Sequence, residues 1–325
     1  MNAGTKEPAS DGIAIEVRGL TKRFGSITAV DNLCLEIRRG EVFGFLGPNG
    51  AGKTTAINMI CGLLRPDAGR VVIHPSTDGS KEAAGDPRRT IGLCPQAICV
   101  WESLTCLEQL EFMGRMYDVG RREARARGLA LLETLGLAEK KNKLAKTLSG
   151  GMQRRLNIIL ALVHEPAILI LDEPQAGLDP QSRVLVREFI RDVARLKTVI
   201  LTTHEMDEAE RLSERVAIID RGRLLVCDTP ENLKGRIGEG EVLEITFAEG
   251  RGAKLEAALP ELRANADNVQ VKGEVVSFVC RDAAAVFPAV AGLLKVKDLR
   301  VIDIKIRQKT LEDVFIHYTG RGLRE

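Results

Sequence analysis

No apolar run in this 325-residue chain approaches the roughly 18 residues that a membrane-spanning helix needs. The run AILIL at 167–171 suits a buried strand instead. The opening MNAGTKEPASDG is polar and lacks the apolar centre of a signal peptide, so the expected compartment is the cytoplasm. An excess of one charge is missing too. Against 47 Lys and Arg stand 45 Asp and Glu, a formal net charge of +2, which gives no support for an electrostatically driven nucleic-acid binder. The cysteines Cys34, Cys61, Cys94, Cys99, Cys106, Cys227 and Cys280 are odd in number and contain no CxxC pair. Most have apolar neighbours, so they read as reduced core residues rather than a disulfide framework. Cys94, Cys99 and Cys106 are close enough in sequence for a metal site to be conceivable, but their spacing matches no zinc pattern and no histidine is near.

What remains is the composition of an ordinary soluble globular protein, 44% hydrophobic and 28% charged, at a length that favours two domains. Residues 13–46 hold strand-like runs, IAIEV, LCLEI and EVFGFLG, punctuated by glycine and charged pairs. A glycine-rich loop and a helix, GKTTAINMICGLL, follow and end at Arg65-Pro66. RVVI and TIGLCPQ read as strands on either side of a polar stretch at 74–89. From about 103 to 146 the apolar spacing turns helical, which predicts a helical insertion. Then AILILDEP and TVILTTH, buried strands, flank the helix DPQSRVLVREFIRDVARL. Short apolar runs alternating with helices predict a parallel sheet covered on both faces, hence an α/β fold.

Glycine and charge in RIGEGE, around 236–241, mark a domain boundary. The expected domains are 1–236, with a helical subdomain at about 97–165, and a small α+β domain at 237–325. In the second, the order strand EVLEITF, helix AKLEAALPEL, strands NVQVKG and EVVSFVC, helix AAAVFPAVAGLL, strand LRVIDIKIR is that of a ferredoxin-like unit. A last helix, LEDVFIHY, puts Leu311, Val314, Phe315 and Tyr318 on one face, with Thr310 and Asp313 spaced as a near capping box. That face is either core or a dimer or regulatory contact.

GPNGAGKTT, from Gly47 through Pro48, Asn49, Gly50, Ala51, Gly52, Lys53 and Thr54 to Thr55, fits the phosphate-loop pattern between a strand and a helix. Glycines let backbone N–H groups surround phosphate oxygens, Lys53 can reach the β and γ phosphates, and the Thr54 hydroxyl can ligate Mg²⁺. ILILDE ends a buried strand in Asp172, a candidate for holding Mg²⁺ through water, and Glu173, a candidate base or orienting group for the attacking water. The plain alternative is a solvated strand end. His204 closes TVILTTH and either faces the γ-phosphate or is an ordinary strand-end residue. Gln96, after IGLCP, either reaches metal and water or simply ends its strand. TLSGGMQRRL forms a second anion-type helix start: Ser149 can cap, Gly150 and Gly151 bare the backbone, and Arg154 and Arg155 follow.

The order of phosphate loop, Gln96, helical insertion, LSGGMQRR, LDEP, GLD and His204 resembles the ATP-binding subunit of an ABC (ATP-binding-cassette) transporter, over residues 13 to about 236. That resemblance implies a P-loop NTPase fold, ATP and Mg²⁺ as cofactors, and two subunits head to tail with two ATPs between them. Lys53 of one copy would hold the ATP that Ser149, Gly150 and Gly151 of the other cover. Asp179 would make the cross-interface contact, and Phe24 would stack on adenine where the family more often has tyrosine. Gln96 would join Thr54 and Asp172 at the metal, while Glu173, His204 and Gln96 would serve catalysis. Gln175 stands where the family usually has threonine. GLDPQSR and TLEDVFIHYTG resemble the drug, lipo-oligosaccharide and polysaccharide export branch. The expected partner is a separate membrane permease, received near Trp101, with the chain at the cytoplasmic face of the cell membrane and the C-terminal domain accessory or regulatory. The alternative is a soluble ATPase of the same family acting as a mechanical switch; such proteins usually carry coiled-coil insertions, zinc modules or tandem cassettes, and this chain has none of those patterns.

Overall fold

The computed structural model describes residues 12–74, 87–248, 260, 267–296 and 299–320. All of the expected helix AKLEAALPEL but Pro260, and most of the polar stretch at 74–89, lie outside them. The chain divides into two compact units, Met1–Cys227 and Asp228–Glu325.

The first unit opens on a hairpin, β1 (Ile13–Phe24) and β2 (Ile27–Arg38), joined through Gly25. Its register sets Ile15 against Ile37, Val17 against Leu35 and Leu20 against Leu33, and β4 (Ala68–Ile73) pairs with the other edge of β1. The second sheet runs β5-β6-β7-β3-β8-β9, from β3 (Val42–Leu46), β5 (Ile91–Cys94), β6 (Ile168–Asp172), β7 (Thr198–Thr203), β8 (Arg215–Asp220) and β9 (Arg223–Asp228). The pairs from β5 through β8 are parallel. Every residue of β3, β6 and β7 is buried, and the alternation of a strand explains how. Ile168, Ile170, Ile200, Phe43 and Phe45 enter the core shared with β1, β2 and α1 (Lys53–Ile60). Leu169, Leu171, Val199 and Leu201 enter the core on the opposite face. A sheet covered on both sides needs such runs, which is why they read so plainly in the sequence.

The helical insertion holds α2 (Cys106–Met116), α3 (Arg121–Thr134) and α4 (Gly150–Leu160). Thr105 and Glu108 form a full capping box at the start of α2. The packing of α2 on α3 is tight: a Cβ on Gly114 would stand 2.6 Å from that of Ala124. Two further helices, α5 (Pro180–Ala194) and α6 (Met206–Leu212), flank β7. α1 ends at Ile60, short of the expected stop at Arg65-Pro66, because Gly62 takes a left-handed conformation (φ +71°) that the helix cannot continue through.

The division after Cys227 falls ahead of residue 236 because Thr229 caps a further helix, α7 (Pro230–Arg236), with Pro230 in its first turn. α7 packs within the second unit against α9 (Leu311–Thr319). The sheet of that unit runs β11-β12-β10-β13, all antiparallel, from β10 (Glu241–Phe247), β11 (Asp267–Lys272), β12 (Val275–Cys280) and β13 (Val301–Arg307), with α8 (Ala283–Val296) crossing from β12 to β13. Leu243, Ile245, Phe247, Val276 and Phe278 fill its core. On α9, Leu311, Val314 and Phe315 are fully buried whereas Tyr318 is exposed, so most of the expected helical face is core.

Candidate nucleotide site

β3 leaves the core at Leu46 and the loop 47–52 delivers the chain to α1. Two of its glycines are dictated by close packing. A Cβ on Gly47 would stand 2.2 Å from the Ile219 carbonyl oxygen of β8, and one on Gly52 2.3 Å from that of Ala29 in β2. Gly50 has open space around it and is required instead by its φ of +80°. Lys53 folds back into this loop, its Nζ donating to the Gly47 carbonyl at 2.7 Å and the Pro48 carbonyl at 3.1 Å. Burial pushes the Lys53 pKa below the ordinary lysine value, and the carboxylates of Glu173 and Asp172 pull against that shift.

β6 carries two acids to the same place. Asp172 accepts from the Thr54 hydroxyl at 2.9 Å on one oxygen and from the Thr202 hydroxyl on the other. Thr202 also accepts the Glu173 N–H at 3.0 Å, so one side chain of β7 fixes both acids. Glu173 sits at φ +50°, a left-handed conformation that costs a non-glycine residue of order 1–3 kcal/mol. Its carboxylate is held on both oxygens: Gln96 Nε2 donates at 3.1 Å and His204 Nδ1 lies at 3.0 Å. The sheet order β5-β6-β7-β3 therefore brings Gln96, Asp172, Glu173, His204 and the Lys53–Thr54 start of α1 together at the carboxyl ends of adjacent strands. Thr54, Gln96 and Asp172 carry hard oxygen donors of the kind that would suit Mg²⁺, and the structure joins two of them directly, Thr54 to Asp172. Arg154 is drawn in from α4. It is 2% exposed and its guanidinium contacts the backbone carbonyls of Pro95, Gln96, Asp172, Glu173 and Pro174.

The second glycine segment stands apart. Ser149 caps α4, accepting from Met152 N–H at 3.4 Å, and Gly150 is exposed with open space where a Cβ would go. Gly151 lies beside Leu178, Asp179 and Ser182. Asp179 caps α5, and the Ser182 hydroxyl (2.7 Å) and N–H (2.9 Å) hold its carboxyl below the usual aspartate range. Phe24 is 51% exposed, with Lys22 Nζ 5.6 Å from its ring centre. Among the described residues, no hydrogen bond or ion pair joins Ser149, Gly150, Gly151, Asp179 or Phe24 to the Lys53–Glu173 group. Contrary to what their sequence position suggests, the two arginines after the glycines point to backbone carbonyls and not to an anion site. Arg154 is spent on carbonyls of its own chain, and Arg155 donates to the Leu135 carbonyl at 2.8 Å.

Residues beyond the sequence expectations also enter the site. Thr202 and the strut role of Arg154 are two; Thr202 is one of three buried threonines in β7, with Thr198 and Thr203, and nothing in the sequence singles it out. Gln175 is buried with its Oε1 unpartnered. No cluster of three His, Cys, Asp or Glu suited to a metal occurs among the described residues, and burial pushes the Cys94 thiol up to about 12. Cys94 and Cys106 are core and Cys99 is exposed. Trp101 is 43% exposed, edge-on to Phe112 at 5.2 Å, and lines a groove of about 660 Å³ with Leu63, Leu93, Val100, Met113 and Tyr117.

Comparison with known proteins identifies the family and the fold. The family model described as ABC transporter matches residues 30–176. A daunorubicin resistance ATP-binding protein of Streptomyces coeruleorubidus is 38% identical over 96% of this chain and 97% of its own length. A linearmycin resistance ATP-binding protein of Bacillus subtilis is 34% identical over 96% and 100%, and a Nod factor export ATP-binding protein of Ralstonia nicotianae 36% over 98% and 99%. Among solved structures, an ATP-binding subunit of an ABC transporter aligns at TM-score 0.61 and 27% identity, covering 77% of this chain and 99% of that one. A dimeric ATP-binding cassette in a post-hydrolysis state with ADP and Pi aligns at TM-score 0.59 and 27% identity, over 66% and 98%. With relatives this similar along nearly its whole length, the chain belongs to the ABC transporter family, as an ATP-hydrolysing subunit of the exporter type.

Proposed function

We propose that two copies of this chain close head to tail on two ATPs and drive a separate membrane permease that exports a drug-like, lipid or oligosaccharide compound. The observation that carries this reading is the Glu173 carboxylate, held by Gln96 and His204 beside the Lys53–Thr54–Asp172 group. Lys53 would trade its loop carbonyls for the β and γ phosphates, and Phe24 offers its ring face to adenine. Thr54, Asp172 and Gln96 would hold Mg²⁺, which supplies charge neutralisation on the phosphates when bound. Glu173 takes a proton from water as the water oxygen bonds to the γ-phosphorus. The bond from that phosphorus to the bridging oxygen breaks, leaving ADP and phosphate. His204 keeps the carboxylate oriented and faces the γ-phosphate.

Ser149, Gly150 and Gly151 would cover the ATP of the opposite copy, and Asp179 would meet that copy's loop. The exposed, glycine-flanked start of α4 supports this, since among the described residues no acidic side chain accepts from the Gly150 or Gly151 N–H. The Trp101 groove, apolar and next to the Gln96 segment, suits a short cytoplasmic helix of the permease, with the chain at the cytoplasmic face of the membrane. The second unit, residues 228–325, is read as accessory or regulatory. The test is Glu173→Gln. It should bind ATP, lose turnover by at least about 100-fold, and elute as a dimer with ATP by light scattering. Lys53→Ala should lose ATP binding. A Glu173→Gln protein that binds ATP yet stays monomeric contradicts the head-to-tail arrangement.

A further inference from the structure

We infer that Arg154 is a positioning residue for catalysis: through it, the helix that starts at Ser149 sets the geometry of Glu173 and Gln96 in the same chain. The link to the opposite ATP rests on the reading of Ser149–Gly151 given above. The link to Glu173 rests on geometry alone.

Arg154 is a buried cation with no carboxylate partner among its hydrogen bonds. Its Nη1 donates to the Gln96 carbonyl at 2.6 Å and that of Pro95 at 3.0 Å. Its Nη2 donates to the Asp172 carbonyl at 3.0 Å and to that of Glu173, and Nε to that of Pro174 at 3.3 Å. Those carbonyls belong to two strand ends, 95–96 and 172–174. They are the segments whose side chains meet where Gln96 Nε2 reaches Glu173 Oε2. A planar fork of five N–H donors can bridge two backbone segments at fixed distance, which an ammonium point charge cannot. Asn157, one turn further along α4, reinforces only the 95–99 side of this tie, donating to the Pro95 and Ala97 carbonyls and accepting from Cys99 N–H.

Glu173 is the residue that most needs such a hold. Its left-handed backbone is fixed on the N–H side by Thr202 and on the carbonyl side by Arg154. Arg154 lies little more than one helical turn from Ser149, within one rigid element. Seating the start of α4 on a partner's ATP therefore aligns the carboxylate that serves the chain's own ATP. Two sites of the closed pair become mechanically linked inside each copy, by a physical element rather than by proximity alone.

The experiment uses the full chain with Arg154→Lys, which keeps the charge, and Arg154→Gln, which keeps an N–H donor without it. Each is made alone and with Glu173→Gln. Expected for both single variants are an ATP affinity within about two-fold of wild type and a kcat lower by about 100-fold. In the Glu173→Gln background the same substitutions should lower the residual rate by less than two-fold, because Arg154 acts through Glu173. An unchanged kcat overturns the inference, as does an equal loss in both backgrounds. Loss of ATP binding in both variants, or failure of both to fold, assigns Arg154 a structural role and overturns it too. Should Glu173→Gln itself remain monomeric with ATP, the trans reading fails while the Arg154–Glu173 coupling is still scored by the rates.

Discussion

Thr202 shows how much one hydroxyl can carry. It donates to Asp172 and accepts from the Glu173 N–H, so it stands between the candidate metal carboxylate and the strained residue that would activate water. Replacing it with valine keeps the shape and the β-branch of a buried strand position but removes both bonds, leaving an acid oxygen and a buried N–H each short of a partner. The Glu173 N–H keeps only its 3.2 Å contact to the Thr202 carbonyl. Thr202→Val should cost about 1–3 kcal/mol in stability, the usual penalty of an orphaned buried polar group. It should also lower kcat more than it weakens ATP binding, since Lys53 and the loop are untouched. Denaturant melts and steady-state kinetics check the two halves separately. An unaltered kcat would mean that Glu173 keeps its geometry without Thr202.

At the scale of elements, α9 and the end of β13 hold a second buried charge. Asp313 receives both Arg307 nitrogens at 2.7 and 2.8 Å and caps α9 by accepting from Thr310 N–H and hydroxyl. Burial pushes its pKa up, but the Arg307 and Thr310 hydrogen bonds outweigh that, and the net shift is downward. An aspartate with a lowered pKa in the folded state adds stability above its unfolded pKa and loses it as pH falls through the folded one. Unfolding of the second unit should therefore become easier on acidification below about pH 4. Asp313→Asn should cost about 2 kcal/mol near neutrality, less than a fully buried pair because Arg307 stays 34% exposed, and should flatten that acid slope. Thermal melts of both proteins between pH 3 and pH 7 decide it. The elements of this fold were legible to different degrees, for physical reasons. β3, β6 and β7 read plainly because a doubly covered strand must be apolar throughout. The phosphate loop, Asp172, Glu173 and His204 read as candidates because each sits at the end of such a strand, and Gln96 because it follows the short apolar edge strand β5. α7 is hard to see in the sequence although Thr229-Pro230 is a capping signature, since glycine and charge just beyond it mark a boundary there. The sequence shows Arg154 only as a basic neighbour of the glycines, because its carbonyl partners, up to 59 positions away in sequence, come together only once the sheet has formed.

For the whole molecule, the decisive property is that, among the described residues, no hydrogen bond or ion pair joins the 47–55 loop to the glycine-rich start of α4. Lys53 belongs to one group of contacts, and the start of α4 leans on Asp179 and the beginning of α5. If the second segment completes the site of another copy, the two halves can be broken in different chains and restored by mixing. Lys53→Ala removes the phosphate-loop half; Gly150→Asp places a carboxylate where phosphate would sit, at a position with room for the side chain and thus little effect on folding. Each variant alone should be inactive. In an equal mixture, half of randomly formed pairs combine one of each. Such a pair holds one site with an intact loop and an intact covering segment, and one site with neither. The mixture should thus recover about a quarter of the wild-type site number in a two-fold pair, and the recovered rate should rise with protein concentration as pairs form. A mixture that stays at the sum of its two inactive parts would contradict a site shared between copies.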